Sequence, residues 1–297
     1  MQSFYSYVGI SRQAHQQWRV SDAAKQEMMS SMKEDITKYR SSVDFRAGSR
    51  SCFYNLDIKK RYDVGVNKFE SLVSEMGMTL PVVKVRVITT KSSALSWGYS
   101  NLISGRTISD INKVMVGDIT YLDHYGVRYY FFQYLDVFSG RVVGWSIAEN
   151  MKTERAIEAL KMVEKCRGKD CLKGLIHHTD GGGQYFSHRF IAEAKKLGIE
   201  MSRARNCLEN GHAEQFNSYL KHHIMPLVKS RSLKGMKREL KILIEAYNNR
   251  AQEGLGWLSP IEHEKKISSG QHSLSMKLYD WAESNERFLK ACATKKG

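Results

Sequence analysis

Apolar positions along this chain keep two different periods, and the order in which the periods change outlines an architecture. Met28, Met32, Ile36 and Tyr39 recur at helical spacing and predict a helix over 23–39. Ser11 reads as the N-cap of a shorter helix, 13–19, that follows a turn at Val8-Gly9-Ile10. Residues 49–56, 58–62 and 67–76 predict three more helices, the last capped by Asn67 after the turn Asp63-Val64-Gly65-Val66. The period then shortens. Residues 114–122, 127–137 and 142–148 are rich in β-branched and aromatic types, with turns at Asp123-His124-Tyr125-Gly126 and Ser139-Gly140-Arg141 between them. Three strands joined by short turns make an antiparallel meander. Helical spacing returns with Ala156, Leu160 and Val163, behind Thr153 as cap. A short strand carries Leu175-Ile176 towards Asp180 and three glycines. A helix over 187–197, a strand over 199–203 and a helix with Ala213, Phe216, Leu220 and Ile224 on one side follow. Met236, Leu240, Ile244 and Tyr247 mark a last amphipathic helix, 233–248.

Charge adds a partner to this outline. The net charge is +15, and so large a surplus points to a polyanion, most often nucleic acid. The helices of 1–80 then read as a DNA-binding region of helix-turn-helix type, with Asn67, Lys68 and Ser71 on the exposed side of a candidate recognition helix. Residues 81–113 read as a basic linker whose Lys84 and Arg86 would follow phosphates. No apolar run is long enough to span a bilayer, and the N-terminus has no basic stretch followed by an apolar one. No membrane partner and a cytoplasmic location are therefore expected. The five cysteines form no C-x-x-C pair, as befits reduced thiols rather than a disulfide framework or a zinc site.

The candidate chemistry lies in three carboxylates. Asp118 interrupts the apolar run Val-Met-Val-Gly-Asp-Ile-Thr-Tyr-Leu, where an unpaired charge would be costly, so a ligand role is expected. Asp180 stands at the exit of its strand. Glu214 belongs to a helical polar stripe with Asn210, Asn217, Ser218 and Lys221. Oxygen ligands of this kind suit Mg²⁺ or Mn²⁺, and two such ions serve both the attacking and the leaving oxygen of a phosphodiester. Glu209 is a rival for the third ligand, and Asp136 reads as a cap for the Ser139-Gly140 turn.

Five segments carry a resemblance: VGDITYL (116–122), LDVFSGRVVGWSI (135–147), HHTDGGGQY (177–185), NCLENGHAEQFNSYLK (206–221) and YNNRAQEGLGWLSP (247–260). In this order they resemble the transposases of the bacterial insertion-sequence family called IS three, with a retroviral-integrase-type catalytic core, over residues 35–265. The resemblance implies an α/β fold. A ribonuclease-H-like core, a mixed five-stranded sheet with flanking helices, would occupy 114–265, preceded by the all-α helix-turn-helix region and followed by a tail, 266–297. It implies that Asp118 and Asp180 lie side by side and that, with Glu214, they bind two metal ions and catalyse 3′-end cleavage and strand transfer. Asn210, Asn217, Ser218, Lys221 and His222 would lie along double-stranded DNA, with His178 near a phosphate. The family further implies a homo-oligomer on DNA at the bacterial nucleoid. An upstream-frame partner or fusion would supply the coiled coil that this chain, lacking a heptad run, does not. The chain departs from the family at Met115, Glu209 and Arg250-Ala251-Gln252, and in a shortened spacing of 33 residues between Asp180 and Glu214. Two rivals remain: an inert DNA-binding regulator derived from a transposase, and a nuclease on the same fold.

Overall fold

The computed structural model describes residues 9, 11–81, 98–205, 207–271 and 275–280. The chain divides into two units, Met1–Val83 and Lys84–Gly297. In the first, α1 (Arg12–Ser42) is one continuous helix where two were expected. No glycine or proline falls between 12 and 42, so nothing stops the helix at Ser21-Asp22. Ser11 caps it as expected, accepting from the Ala14 amide at 3.0 Å. Three short helices follow: α2 (Ser49–Asn55), α3 (Ile58–Tyr62) and α4 (Val66–Glu75). Met29, Met32, Ile36 and Tyr39 of α1 pack with Phe53, Ile58, Phe69, Leu72 and Val73. The cap of α4 is Gly65, so the helix begins one residue before the expected Asn67.

The second unit is built on a sheet. β1 (Thr107–Ile108) pairs only with the distant β7 (Met276–Lys277). β2 (Val114–His124), β3 (Val127–Asp136) and β4 (Val142–Ala148) form the meander. β2 continues to His124, two residues into the expected turn, because a two-residue turn at Tyr125-Gly126 suffices. Both turn residues are left-handed, with φ of 47° and 79°, as a tight hairpin of matching twist requires. α5 (Thr153–Arg167) leads to β5 (Ile176–Thr179), which joins β2 in parallel. α6 (His188–Lys196), capped by Ser187, leads to β6 (Glu200–Arg203), parallel to β5. The sheet order is β4-β3-β2-β5-β6. α7 (Gly211–Tyr219) and α8 (Leu233–Asn248) complete the body, and α9 (Pro260–Ser268) closes it. This is the mixed five-stranded sheet with flanking helices expected of a ribonuclease-H-like core.

Strand periodicity divides the core between the two faces of the sheet. Val114, Val116, Phe131 and Ile147 pack with Ala213, Phe216, Leu220, Met236, Leu240 and Ile244 of the α7–α8 side. Met115, Phe132, Tyr134 and Val143 pack with Ala156, Leu160, Val163, Phe190 and Ala194 of the α5–α6 side. The exposed edge of β4 is covered by a side chain: Asn248 accepts from the Val142 amide at 3.0 Å and donates to its carbonyl at 2.9 Å.

A buried charge cluster docks the closing segment. Glu264 of α9 accepts from Arg141 at 2.6 Å, Arg167 at 2.8 Å and the Ser139 hydroxyl at 2.8 Å. Asp136 accepts from the Asn112, Phe138 and Ser139 amides at 2.8, 3.1 and 3.0 Å, and so caps the turn as expected. Burial alone would raise the Glu264 carboxyl, yet the Arg167 and Arg141 bonds hold it below the usual range. Removing one partner of a buried ion pair strands the others. Glu264→Ala should therefore lower the stability of this unit by about 3 kcal/mol, read as a shift in its urea unfolding midpoint. An unmoved midpoint would show that the cluster contributes nothing net.

Candidate active site

The register of β2 against β5 assembles the site. Gly117 pairs with Thr179 at the end of β5, so the next residues, Asp118 and Asp180, leave the ladder side by side. Neighbouring strands lie about 4.8 Å apart. Asp118 follows Val114 and Val116 onto the α7 face, where Asn217 of α7 donates to its Oδ2 at 2.6 Å. The Ile119 amide donates to its Oδ1 at 2.8 Å. Asp180 Oδ1 accepts from the Gly182 amide at 3.0 Å, which fixes the strand exit. Glu214, in the first turn of α7, adds its charge to the same group. Burial, and next the charge of Asp180, push the Asp118 carboxyl up to about 7, against the bonds from Ile119 and Asn217 and with Glu214 adding to the rise. α7 then widens into a π-helical turn, Leu220–Ile224, which carries Lys221. Burial lowers the Lys221 ammonium, while the charges of Asp118 and Asp123 oppose that shift.

These donors are hard oxygens, and burial together with the Asp180 charge raises the Asp118 carboxyl. The donor set therefore fits a Mg²⁺-type ion in chemistry. Among the described residues, no three His, Cys, Asp or Glu side chains already enclose a metal position.

Residues 109–207, which contain Asp118 and Asp180, match the family described as the integrase core domain. The chain is 34% identical over 163 residues to the transposase for insertion sequence element IS904 of Lactococcus lactis, covering 52% of this chain and 62% of that protein. It is 33% identical over 159 residues to transposase InsF for insertion sequence IS3A of Escherichia coli, covering 52% of this chain and 54% of that one. The chain thus spans between half and two thirds of the length of these relatives. The HTLV-2 integrase catalytic core domain in complex with magnesium is 17% identical with a TM-score of 0.41, covering 55% of this chain and 99% of that one.

Glu214 lies beyond the matched stretch of the integrase core, so its place rests on the geometry of α7. Glu209, the rival, is buried and accepts from Asn101 at 2.8 Å and the Arg205 amide at 2.9 Å, tying residue 101 to the loop before α7. Three expected DNA contacts are corrected. His178 is fully buried, with its ring nitrogens 2.8 Å from Ser202 Oγ and 3.1 Å from the Glu209 carbonyl, so it pins the loop from inside. Asn210 is buried and donates to the Gly117 carbonyl at 3.3 Å. Asn217, also expected on DNA, instead holds Asp118. Ser218 and His222 are half-buried and Lys221 is exposed. Asn67, Lys68 and Ser71 are exposed on α4, in the other unit. Lys84 and Arg86 lie outside the described residues, as do 82–97 of the linker expected at 81–113 and 272–274 and 281–297 of the tail expected at 266–297.

Sequence reasoning missed His177. It is buried between Tyr134, Tyr185 and Phe190, and its ring sits where a side chain on Gly117 would be. The only signal was a glycine inside a strand, which often marks close approach.

The Asp118 shift has a stability consequence. Its carboxyl titrates at 3.8 ordinarily and near 7 when folded. The folded state therefore binds this proton more tightly, and the contribution present below pH ~4 is lost as pH rises through ~7. Asp118→Asn should stabilise the metal-free protein by about 1–3 kcal/mol at pH ~8, with the gain shrinking towards pH ~5. Thermal unfolding of both proteins across that range checks it; a gain independent of pH would contradict the assignment.

Proposed function

We propose that the chain is the transposase of an insertion sequence, cleaving 3′ ends of the element's DNA and joining them to target DNA. The observation that carries this reading is the Asp118 carboxyl of β2, beside which strand register brings Asp180 and on which the charge of Glu214 from α7 also acts. The identity with insertion-sequence transposases supports it. Asp118, Asp180 and Glu214 would hold two Mg²⁺ or Mn²⁺ ions. Bound there, the ions would activate the attacking hydroxyl and stabilise the leaving 3′-oxygen.

The chain's own residues supply orientation. Asn217 and the Ile119 amide fix both oxygens of Asp118, and the Gly182 amide fixes Asp180. Each carboxylate thus keeps a set direction when the charge between them is neutralised. Lys221, with Ser218 and His222 beside it, brings donors to the phosphates of a strand lying along α7. In the other unit, Asn67, Lys68 and Ser71 of α4 are the groups to read duplex DNA. Two DNA ends must meet in one reaction, so a homo-oligomer on DNA is part of the proposal. Any upstream-frame partner would add to that assembly.

The test is strand transfer with Mg²⁺ or Mn²⁺ on DNA carrying the element's ends. Asp118→Asn, Asp180→Asn and Glu214→Gln should each cut the rate by more than about 100-fold while DNA binding persists. Cleavage without joining would favour the nuclease, and binding without cleavage the inert regulator.

A further inference from the structure

β2 outruns its parallel neighbour. Its pairing with β5 stops at Gly117, yet the strand continues to His124, so the β2–β3 hairpin projects past the acidic group. The projection carries two large exposed rings, Tyr121 at 48% and Tyr125 at 58% exposure. Neither ring is left to bulk solvent alone. The Arg128 guanidinium lies 5.6 Å from the Tyr121 centroid and Lys221 Nζ 5.5 Å from it. Arg231 lies 4.7 Å from the Tyr125 centroid.

The cations are themselves positioned. Arg128 makes two bonds to Asp123, at 2.8 and 3.1 Å, and so keeps its plane beside Tyr121. The loop carrying Arg231 is tied to the hairpin by a 3.0 Å contact between His124 Nε2 and the Ser230 carbonyl. Against these three cations stand Asp123 and, at the loop before Arg231, Glu239, which accepts from the Lys229 and Ser230 amides at 2.8 and 3.1 Å, so the patch stays positive. Along the extended strand, Tyr121 stands about 10 Å beyond Asp118, on the alternate face, and Tyr125 lies in the turn at the tip of the hairpin.

We infer that this hairpin is a stacking platform for unpaired nucleotides of a DNA strand whose phosphate lies at the acidic group. The inference rests on the proposed function and deepens it. A duplex presents phosphates to its surroundings and keeps its bases stacked inside, so exposed rings gain little from it. Unpaired bases need a π-face, and every base has one, so such a surface accepts any sequence. Lys221, Arg128 and Arg231 would meet the accompanying phosphates, and the arginine planes extend the stacking surface. The platform would hold the frayed end of a strand while its phosphodiester is presented to Asp118, Asp180 and Glu214.

The test uses the full chain without divalent ions, so that nothing is cut. The probes are a blunt duplex and the same duplex with a short unpaired extension containing fluorescent aminopurine. Wild type should bind the extended duplex more tightly and quench the aminopurine. Tyr121→Ala with Tyr125→Ala should weaken binding of the extended duplex by about 10-fold or more, abolish the quench, and change blunt-duplex binding by less than about 3-fold. Tyr121→Phe with Tyr125→Phe keeps the rings and should behave as wild type. Both tyrosines are exposed, and circular dichroism checks that the variants fold. Equal losses on both duplexes, or none on either, would overturn the platform and leave the transposase reading standing. A wild-type chain that bound neither duplex would overturn both.

Discussion

The parallel pairing of β2 with β5 is the constraint on which the rest depends. It brings Asp118, midway along β2, beside Asp180 at the exit of β5, where their repulsion and partial burial oppose folding. That cost is tolerable because the strands below are bound by apolar contacts on both faces, from Met115 under α5 and α6 and from Val114 and Val116 under α7 and α8. Gly117 lets the strands close up at the last paired position, since the His177 ring fills the place of any side chain there. His177 is held uncharged, its imidazole pushed down to about 3 by burial and by its neighbour His178. A charged imidazole at this point would neutralise the carboxylates next to it; a neutral one leaves their field intact.

The same pairing explains why so much of the loop before α7 is buried polar structure. β6 adds Ser202, which meets His178, and His178 meets the Glu209 carbonyl. Glu209 in turn reaches Asn101 and the Arg205 amide. Asn210 bonds the Gly117 carbonyl. These bonds set where α7 begins, and hence the height at which Glu214 and Asn217 face Asp118. A helix whose start is fixed by hydrogen bonds to two strands can present a carboxylate with little freedom. The shortened spacing between Asp180 and Glu214 is consistent with that anchoring, because a loop tied at both ends needs no spare length.

Much of the fold was legible in the sequence, for identifiable reasons. β4 and α8 fell where the alternation and the heptad-like spacing put them, because both elements bury a regular face. The split expected in α1 failed because Ser21-Asp22 resembles a cap, yet local cap chemistry yields to a helix with no breaker. The β2–β3 turn was placed too early because Asp123 and His124 are turn-prone by type, whereas cross-strand pairing with Arg128 and Val127 holds them in the strand. Asp118 stood out as a candidate because it interrupts an apolar run and Asp180 because it ends one, whereas Glu214 sits on a polar stripe and does not break its pattern. The roles of His178, Asn210 and Asn217 were not legible, because a polar residue type does not reveal whether its partner is solvent, DNA or a buried carbonyl.

Asp136 shows where the boundary of such reading lies. It resembles Asp118 in sequence, an aspartate in an apolar strand, and burial raises its carboxyl as well. The two differ in what surrounds them. Asp136 accepts three amides and faces Arg167, so its charge is matched within the protein and nothing further is required. Asp118 has two donors and the charge of Lys221 near it, but the charges of Asp180 and Glu214 both act against its ionisation. That difference in surroundings is what the ligand role proposed for Asp118 rests on. Neighbouring sequence does not encode it; the register of two strands and the start of one helix do.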